Sequence, residues 1–271
     1  MNKLLQEEFY HYGCDKILKE LWLYPQMDQI YTNYIKPYGG LWTSHQNKYS
    51  LSDWLSYKED SDNLDEIDSL YYLDSCLVKF KEKSKLLSIE NENDYKNLKD
   101  SGFVKILDNP ILINMYYYTK YIYEIIDYEK ICEYYEILYI NNMTHNNLSN
   151  FSVRTMYALS PNSIDYYKPI KVDYNEHKIL EIKEKKYISE PDDNYYKLIQ
   201  YVKTLFNENN ESNYDLYIKK LYNEMNDIIK YLKNNIDFFE YKDINKLNLI
   251  ETVVRNIYRE KYMLKQKVLH K

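Results

Sequence analysis

The chain has 271 residues, enough for one large domain or two small ones. Its 45% hydrophobic and 29% charged residues exclude a disordered chain, and a net charge of −6, from 36 basic and 42 acidic side chains, excludes a surface built throughout to coat nucleic acid. No apolar run approaches the roughly 18 residues that span a bilayer, and the start MNKLLQEEFYHYG lacks the unbroken apolar core of a secretory signal, so a cytoplasmic protein with no membrane partner is expected.

In chain order, EFYHYG (8–13) reads as a short strand ending in a turn. Residues 15–24 carry apolar side chains at 17, 18, 21 and 22, the spacing of one helix face. PYGG (37–40) is a turn, LWTS (41–44) a strand, and SLSDWLSYK (50–58) a helix start behind capping residues. The acidic stretch 60–68 is a polar connection, followed by strands at 73–80 and 85–90. A helix at 92–100 is stopped by Gly102, and Asn109-Pro110 opens a longer helical stretch that 127–135 continues or follows with a second helix. ILYI (137–140) is a buried strand, 141–150 a polar loop, and 156–159 and 164–167 are short strands around the turn 160–163. After about residue 175 helical periodicity dominates, at 195–206, 214–234 and 244–262, with a loop at 207–213 and a basic tail at 261–271. The expected division is an α+β domain, residues 1–172, and an all-helical module, residues 173–271. In the module, Leu198, Val202 and Leu205 form one apolar stripe and Leu221, Met225, Ile228 and Leu232 another.

Composition points to the residues that matter. Only Arg154, Arg255 and Arg259 are arginine, Ala158 is the one alanine, and tyrosine reaches 35, as in a strongly AT-biased genome: a low-GC bacterium, its phage or a large virus. Against that background the four glycines stand out, and three of them (Gly13, Gly39, Gly40) fall in the first 40 residues. All three tryptophans (Trp22, Trp42, Trp54) fall in the first 54. Glycines kept where composition starves them mark backbone that needs positive φ or a close approach. Cys14, Cys76 and Cys132 build no zinc pattern, and His45, His145, His177 and His270 share no ligand spacing, so no metal is expected. The chain has no G-x-x-x-x-G-K, G-x-G-x-x-G or G-x-S-x-G.

The order Tyr10-His11-Tyr12-Gly13, helix, Gly39-Gly40-Leu41-Trp42-Thr43-Ser44, helix resembles the opening of the ADP-ribosyltransferase fold. More closely, KPYGGLWTS with the earlier HYG and the later segment 162–170 (NSIDYYKPI) is similar to a group of uncharacterised phage and bacterial proteins. The resemblance covers roughly residues 8–172. It implies an ADP-ribosyltransferase-like α+β domain with a mixed or antiparallel sheet, NAD as substrate, and transfer of ADP-ribose to a host macromolecule. In that reading His11 bonds a ribose hydroxyl and the backbone of Tyr12 beside Gly13 pairs with the carboxamide. Trp42 stacks on nicotinamide, Thr43 or Ser44 adds a hydroxyl, and Gly40 with Gly39 lets the chain turn close to the ligand. The oxocarbenium-like transition state calls for a carboxylate. Where the superfamily places a glutamate this chain has Asn162, and no glutamate lies between Glu136 and Glu176. Two alternatives follow: Glu59 or a substrate-assisted route supplies the acid, or the site binds a nucleotide without turning it over. The NAD reading requires His11 and Trp42 to face one cleft; opposite sheet faces would end it.

The rival reading is a non-enzymatic interaction protein, such as an inhibitor of a host defence system, that occupies the surface of a host protein or ribonucleoprotein. A third places nucleic acid on Lys and Tyr of the C-terminal helices, where near balance of charge makes it the weakest.

Overall fold

The computed structural model describes residues 3–26, 37, 39–47, 51–60, 74–107, 123–141, 153–174, 176–207, 212–235 and 246–269. Two compact units emerge, one formed by 1–17 and 25–188, the other by 18–24 and 189–271.

The first unit is organised by β1 (Glu8–Tyr12), whose Phe9 and Tyr10 point to opposite faces and are both fully buried. A strand buried on both sides must be central, and it is: β2 (Leu41–Asn47) and β4 (Ser75–Phe80) flank it. Beyond β4 come β10 (Ile164–Asp173) and β11 (Lys178–Ile182); beyond β2 come β9 (Thr155–Ala158), β8 (Ile137–Ile140) and β5 (Leu86–Ile89). The two-residue β3 (Leu51–Ser52) pairs with β2. Every pairing in this sheet is antiparallel except β5 with β8, so the sheet is mixed. A separate hairpin joins β6 (Val104–Leu107) to β7 (Tyr123–Ile126). Among the described residues this unit holds three α-helices: α1 (Asp53–Asp60), α2 (Glu92–Asp100) and the single turn α3 (Tyr128–Ile131). A reciprocal capping box starts α2: Asn91 accepts from the Asp94 N–H, and the Asp94 carboxylate accepts from the Asn91 N–H.

Two apolar clusters lie against this sheet. Leu51, Leu55 and Tyr174 cover Tyr10, Leu77 and Ile170. Tyr95 and Leu98 of α2 and Tyr128 and Ile131 of α3 pack with Ile89, Leu138, Ile140 and Tyr157.

The second unit holds α4 (Asp193–Leu205), α5 (Tyr214–Asn234) and α6 (Lys246–Leu269), which makes six α-helices among the described residues. Asp192 and Asn213 cap the first two through the N–H groups of Tyr195 and Leu216. The expected stripes are the ones buried. Leu198, Val202, Leu221, Met225, Ile228 and Leu232 close on Leu249, Val253 and Ile257 of α6, with Leu205 partly buried beside them. Burial of that kind contributes about 1.5–3 kcal/mol for each large side chain. No helix among the described residues is long and apolar enough to cross a membrane.

Three expectations are corrected. Residues 15–24 are not a helix. The Asn256 amide holds the backbone at 22–24: its Oδ1 accepts from the Tyr24 N–H at 3.0 Å and its Nδ2 donates to the Trp22 carbonyl at 2.9 Å. Their apolar side chains serve the helical unit, with Trp22 buried and Leu21 packed on its core. After residue 175 the chain adds a strand, β11, before any helix, and residue 172 lies within β10. Helix α1 starts at Asp53 because Leu51 and Ser52 pair with β2 first. The expected helix from Asn109-Pro110, the connection 61–68 and the loop 142–150 lie outside the described residues.

Candidate functional site

The residues of the two N-terminal motifs sit on the neighbouring strands β1 and β2. Phe9 pairs with His45 and Tyr10 with Ser44. Alternation along each strand then places Phe9, His11, Thr43 and His45 on one face of the sheet and Tyr10, Tyr12, Trp42 and Ser44 on the other. Ring contacts agree with the register: Phe9 meets His45 edge-on at 5.8 Å, and Tyr10 meets Tyr12 at 4.4 Å. His11 and Trp42 are therefore on opposite faces, and the cleft that the NAD reading requires of them is not formed.

Most of the predicted ligand contacts are engaged within the fold. The Trp42 indole stacks on Tyr157 at 3.9 Å with the rings 19° from parallel, and packs against the α2–α3 cluster. Tyr157 is fully buried and donates its hydroxyl to the Gly39 carbonyl at 2.7 Å. Gly40, at φ +63°, lies so close to this ring that an added Cβ would sit 2.5 Å from it. Gly40 thus has a packing explanation: the chain turns tightly there to admit a tyrosine. Gly13, at φ +108°, ends β1 and donates its N–H to the Asp74 carbonyl at 2.9 Å. Tyr12 pairs with Ser75 of β4, its ring lies 4.9 Å from Trp54, and its hydroxyl is 3.1 Å from Ser52 Oγ. Thr43 donates to the Met156 carbonyl at 2.6 Å. Ser44 is buried, and its Oγ has no hydrogen-bond partner among the described residues.

His11 is bonded to the main chain. Its Nδ1 lies 2.7 Å from the Trp42 carbonyl oxygen, which can only accept, so Nδ1 carries the proton. Burial, opposed by that bond, holds the imidazole below its ordinary value of 6.5. The folded chain therefore binds a second proton, on Nε2, less readily than the unfolded chain, and His11 lowers stability as the pH falls below about 6.5. Urea unfolding at pH 7.5, 6.5 and 5.5 should show a loss towards acid that is smaller in His11→Gln; an unchanged pH profile in that variant would remove His11 from the account.

Glu59 belongs to α1 by its backbone, and its side chain lies outside the described residues. Asp53, at the start of the same helix, is gripped by Arg154 through two hydrogen bonds of 2.6 and 3.1 Å, which tie α1 to the approach to β9. Asn162 is exposed on the turn before β10, with its N–H on Ser160 Oγ. Among the described residues no group of three His, Cys, Asp or Glu side chains could hold a metal.

Sequence reasoning missed two polar arrangements. Lys105 lies 3.3 Å from Asp127 and 3.1 Å from Glu129, a buried carboxylate that no periodicity marks. Burial raises the Asp127 carboxyl even with Lys105 beside it. The second missed arrangement is Asn256, described above. A shallow groove of about 710 Å³ lined by Leu205, Glu224, Ile228 and Tyr231 belongs to the helical unit, not to the motif strands. Comparison with protein-family profiles, with curated proteins and with solved structures finds no match.

Proposed function

We propose that this chain is a non-enzymatic binding protein that acts by occupying the surface of a macromolecular partner. One observation carries the reading: His11 and Trp42, the two side chains that an NAD site needs on one wall, belong to opposite sheet faces, and Trp42 is stacked on Tyr157. A nicotinamide clamp would have to break that stack and open the α2–α3 core cluster behind it. The hydroxyl of Thr43 and the Nδ1 proton of His11 are already given to backbone carbonyls, so ligand contacts there would cost hydrogen bonds the fold relies on. The turn that carries Asn162 adds no carboxylate at the position where the resemblance calls for one.

Calorimetric titration with NAD tests this. The full chain should give no saturable heat at millimolar NAD. Stoichiometric binding that Trp42→Ala weakens several-fold would restore the ADP-ribosyltransferase reading, since an offset aromatic pair is worth about 0.5–1.5 kcal/mol.

A further inference from the structure

Among the described residues, sheet surface is left partly exposed at the corner where β10 meets the chain returning from β11. Tyr167 and Lys186 exchange two backbone hydrogen bonds, of 2.9 and 2.7 Å. Their neighbours Tyr166, Lys168, Lys185 and Tyr187 consequently share the other face. There the rings of Tyr166 and Tyr187 meet edge-on at 6.5 Å. The Lys185 ammonium lies 5.4 Å from one ring centre and 5.5 Å from the other, and Lys168 lies 5.4 Å from Tyr166. Lys79 of β4 stands in register with Tyr166 and with Glu8. Two carboxylates lie close among the described residues: Glu8 accepts from the Tyr166 hydroxyl at 2.9 Å and pairs with Lys168 at 2.7 Å, and the exposed Asp165 lies near enough to act on Tyr166 and Lys185. Burial and Glu8 push the Tyr166 hydroxyl up to about 12, so it stays a donor at neutral pH. Tyr187 is 59% exposed, and Lys185 is exposed beside it. A net positive charge continues into the β4–β5 turn, where Lys81, Lys83 and Lys85 are exposed against one exposed carboxylate, Glu82; the Lys81 N–H on the Ser163 carbonyl holds that turn against the start of β10.

We propose that this face binds single-stranded nucleic acid, with bases stacking on Tyr187 and Tyr166 and phosphates meeting Lys185, Lys79 and the turn lysines. The inference deepens the binding-protein reading, on which it rests, by naming the class of partner. Two features select this ligand. The exposed Tyr187 ring, beside the half-buried Tyr166, offers a π surface to an unpaired base, and a duplex, whose bases are stacked on each other, has none to give. The excess of ammonium groups over carboxylates matches a phosphate chain, and an acidic peptide would use the charges but leave the rings idle. As a base stacks on Tyr187, the Lys185 ammonium exchanges its contact with that side chain for a phosphate. The net charge of −6 is no obstacle, because the patch is local and screening confines each contact to about 10 Å at 0.1 M salt.

Anisotropy of a labelled ten-nucleotide oligo(dT) or oligo(U), titrated with the full chain at low salt, tests the proposal. Saturable binding is expected. Tyr187→Ala should weaken it at least fivefold, the lower end of a lost base–aromatic stack, and Tyr187→Phe should stay within twofold. Lys185→Ala should reduce the slope of log K against log salt by about 0.7, one phosphate contact on a single strand. Oligoglutamate and inorganic polyphosphate of equal charge should compete far less well than unlabelled oligonucleotide. Absent binding, binding indifferent to Tyr187→Ala in a chain with unchanged circular dichroism, or equal competition by oligoglutamate or polyphosphate would overturn the proposal. Nicotinamide release from NAD, followed on the same preparation, reports separately on the non-enzymatic reading.

Discussion

Gly40→Ala should destabilise the sheet unit by about 2–6 kcal/mol, combining about 1–3 kcal/mol for a non-glycine residue held at positive φ with a similar overpacking cost. The new methyl carbon would stand 2.5 Å from the ring of the fully buried Tyr157, which cannot move without disturbing Trp42 on one side and Tyr128 on the other. The cause can be isolated. Tyr157→Ala alone should cost about 3–5 kcal/mol, as the loss of a large buried aromatic does. In its background Gly40→Ala should cost only its backbone strain, so the double variant should be less destabilised than the two singles added together. Chemical denaturation of the four proteins measures this, and strict additivity would mean that the glycine is not there to admit the tyrosine.

Asn256→Ala should loosen residues 18–24 from the helical unit at a cost of about 1–3 kcal/mol, the penalty for stripping partners from buried backbone groups. One side chain serves both the Tyr24 N–H and the Trp22 carbonyl, and alanine serves neither. Limited proteolysis should cut the variant between 18 and 24 far sooner than the parent, and hydrogen exchange at Tyr24 should accelerate. Asn256→Asp keeps the acceptor for Tyr24 and loses the donor for Trp22, so it should fall between the two. A variant as resistant as the parent would show that Trp22 and Leu21 hold the segment by packing alone.

The contrast between these two sites shows what the sequence makes legible. The helices of the second unit announce themselves because burial at three- and four-residue spacing is a local property: Leu221, Met225, Ile228 and Leu232 repeat along one face and are buried there. β1, β8 and α2 are equally local, written in EFYHY, ILYI and the Asn91 capping box. Residues 15–24 have helical spacing too, yet their backbone partner is a side chain more than 230 positions away, and no window of sequence contains it. β11 is hidden for another reason. KILEI lies at the sheet edge with Leu180 and Ile182 half exposed and with a register shift opposite Lys171 and Val172, so its apolar residues need not alternate cleanly. At the motif strands, scarcity singled out the residues that matter, Gly39, Gly40 and Trp42, and left their purpose open. A glycine that admits a ligand and one that admits Tyr157 look identical until the strand partner is known. Register decides the site itself: a shift of one residue between β1 and β2 would have set His11 and Trp42 side by side. The Tyr166–Tyr187 corner was equally invisible, since it joins two segments of ordinary Tyr-Lys composition through the Tyr167–Lys186 bridge.

The central claim, that the motif strands are structural and the chain works by binding, is tested most directly by nicotinamide release. The full chain, incubated with NAD and with lysate protein as acceptor, should release nicotinamide no faster than buffer. Glu59→Gln should change nothing. Release well above buffer that Glu59→Gln abolishes while NAD binding persists would contradict the account, because it would place a transition-state carboxylate on α1 and make the chain an enzyme.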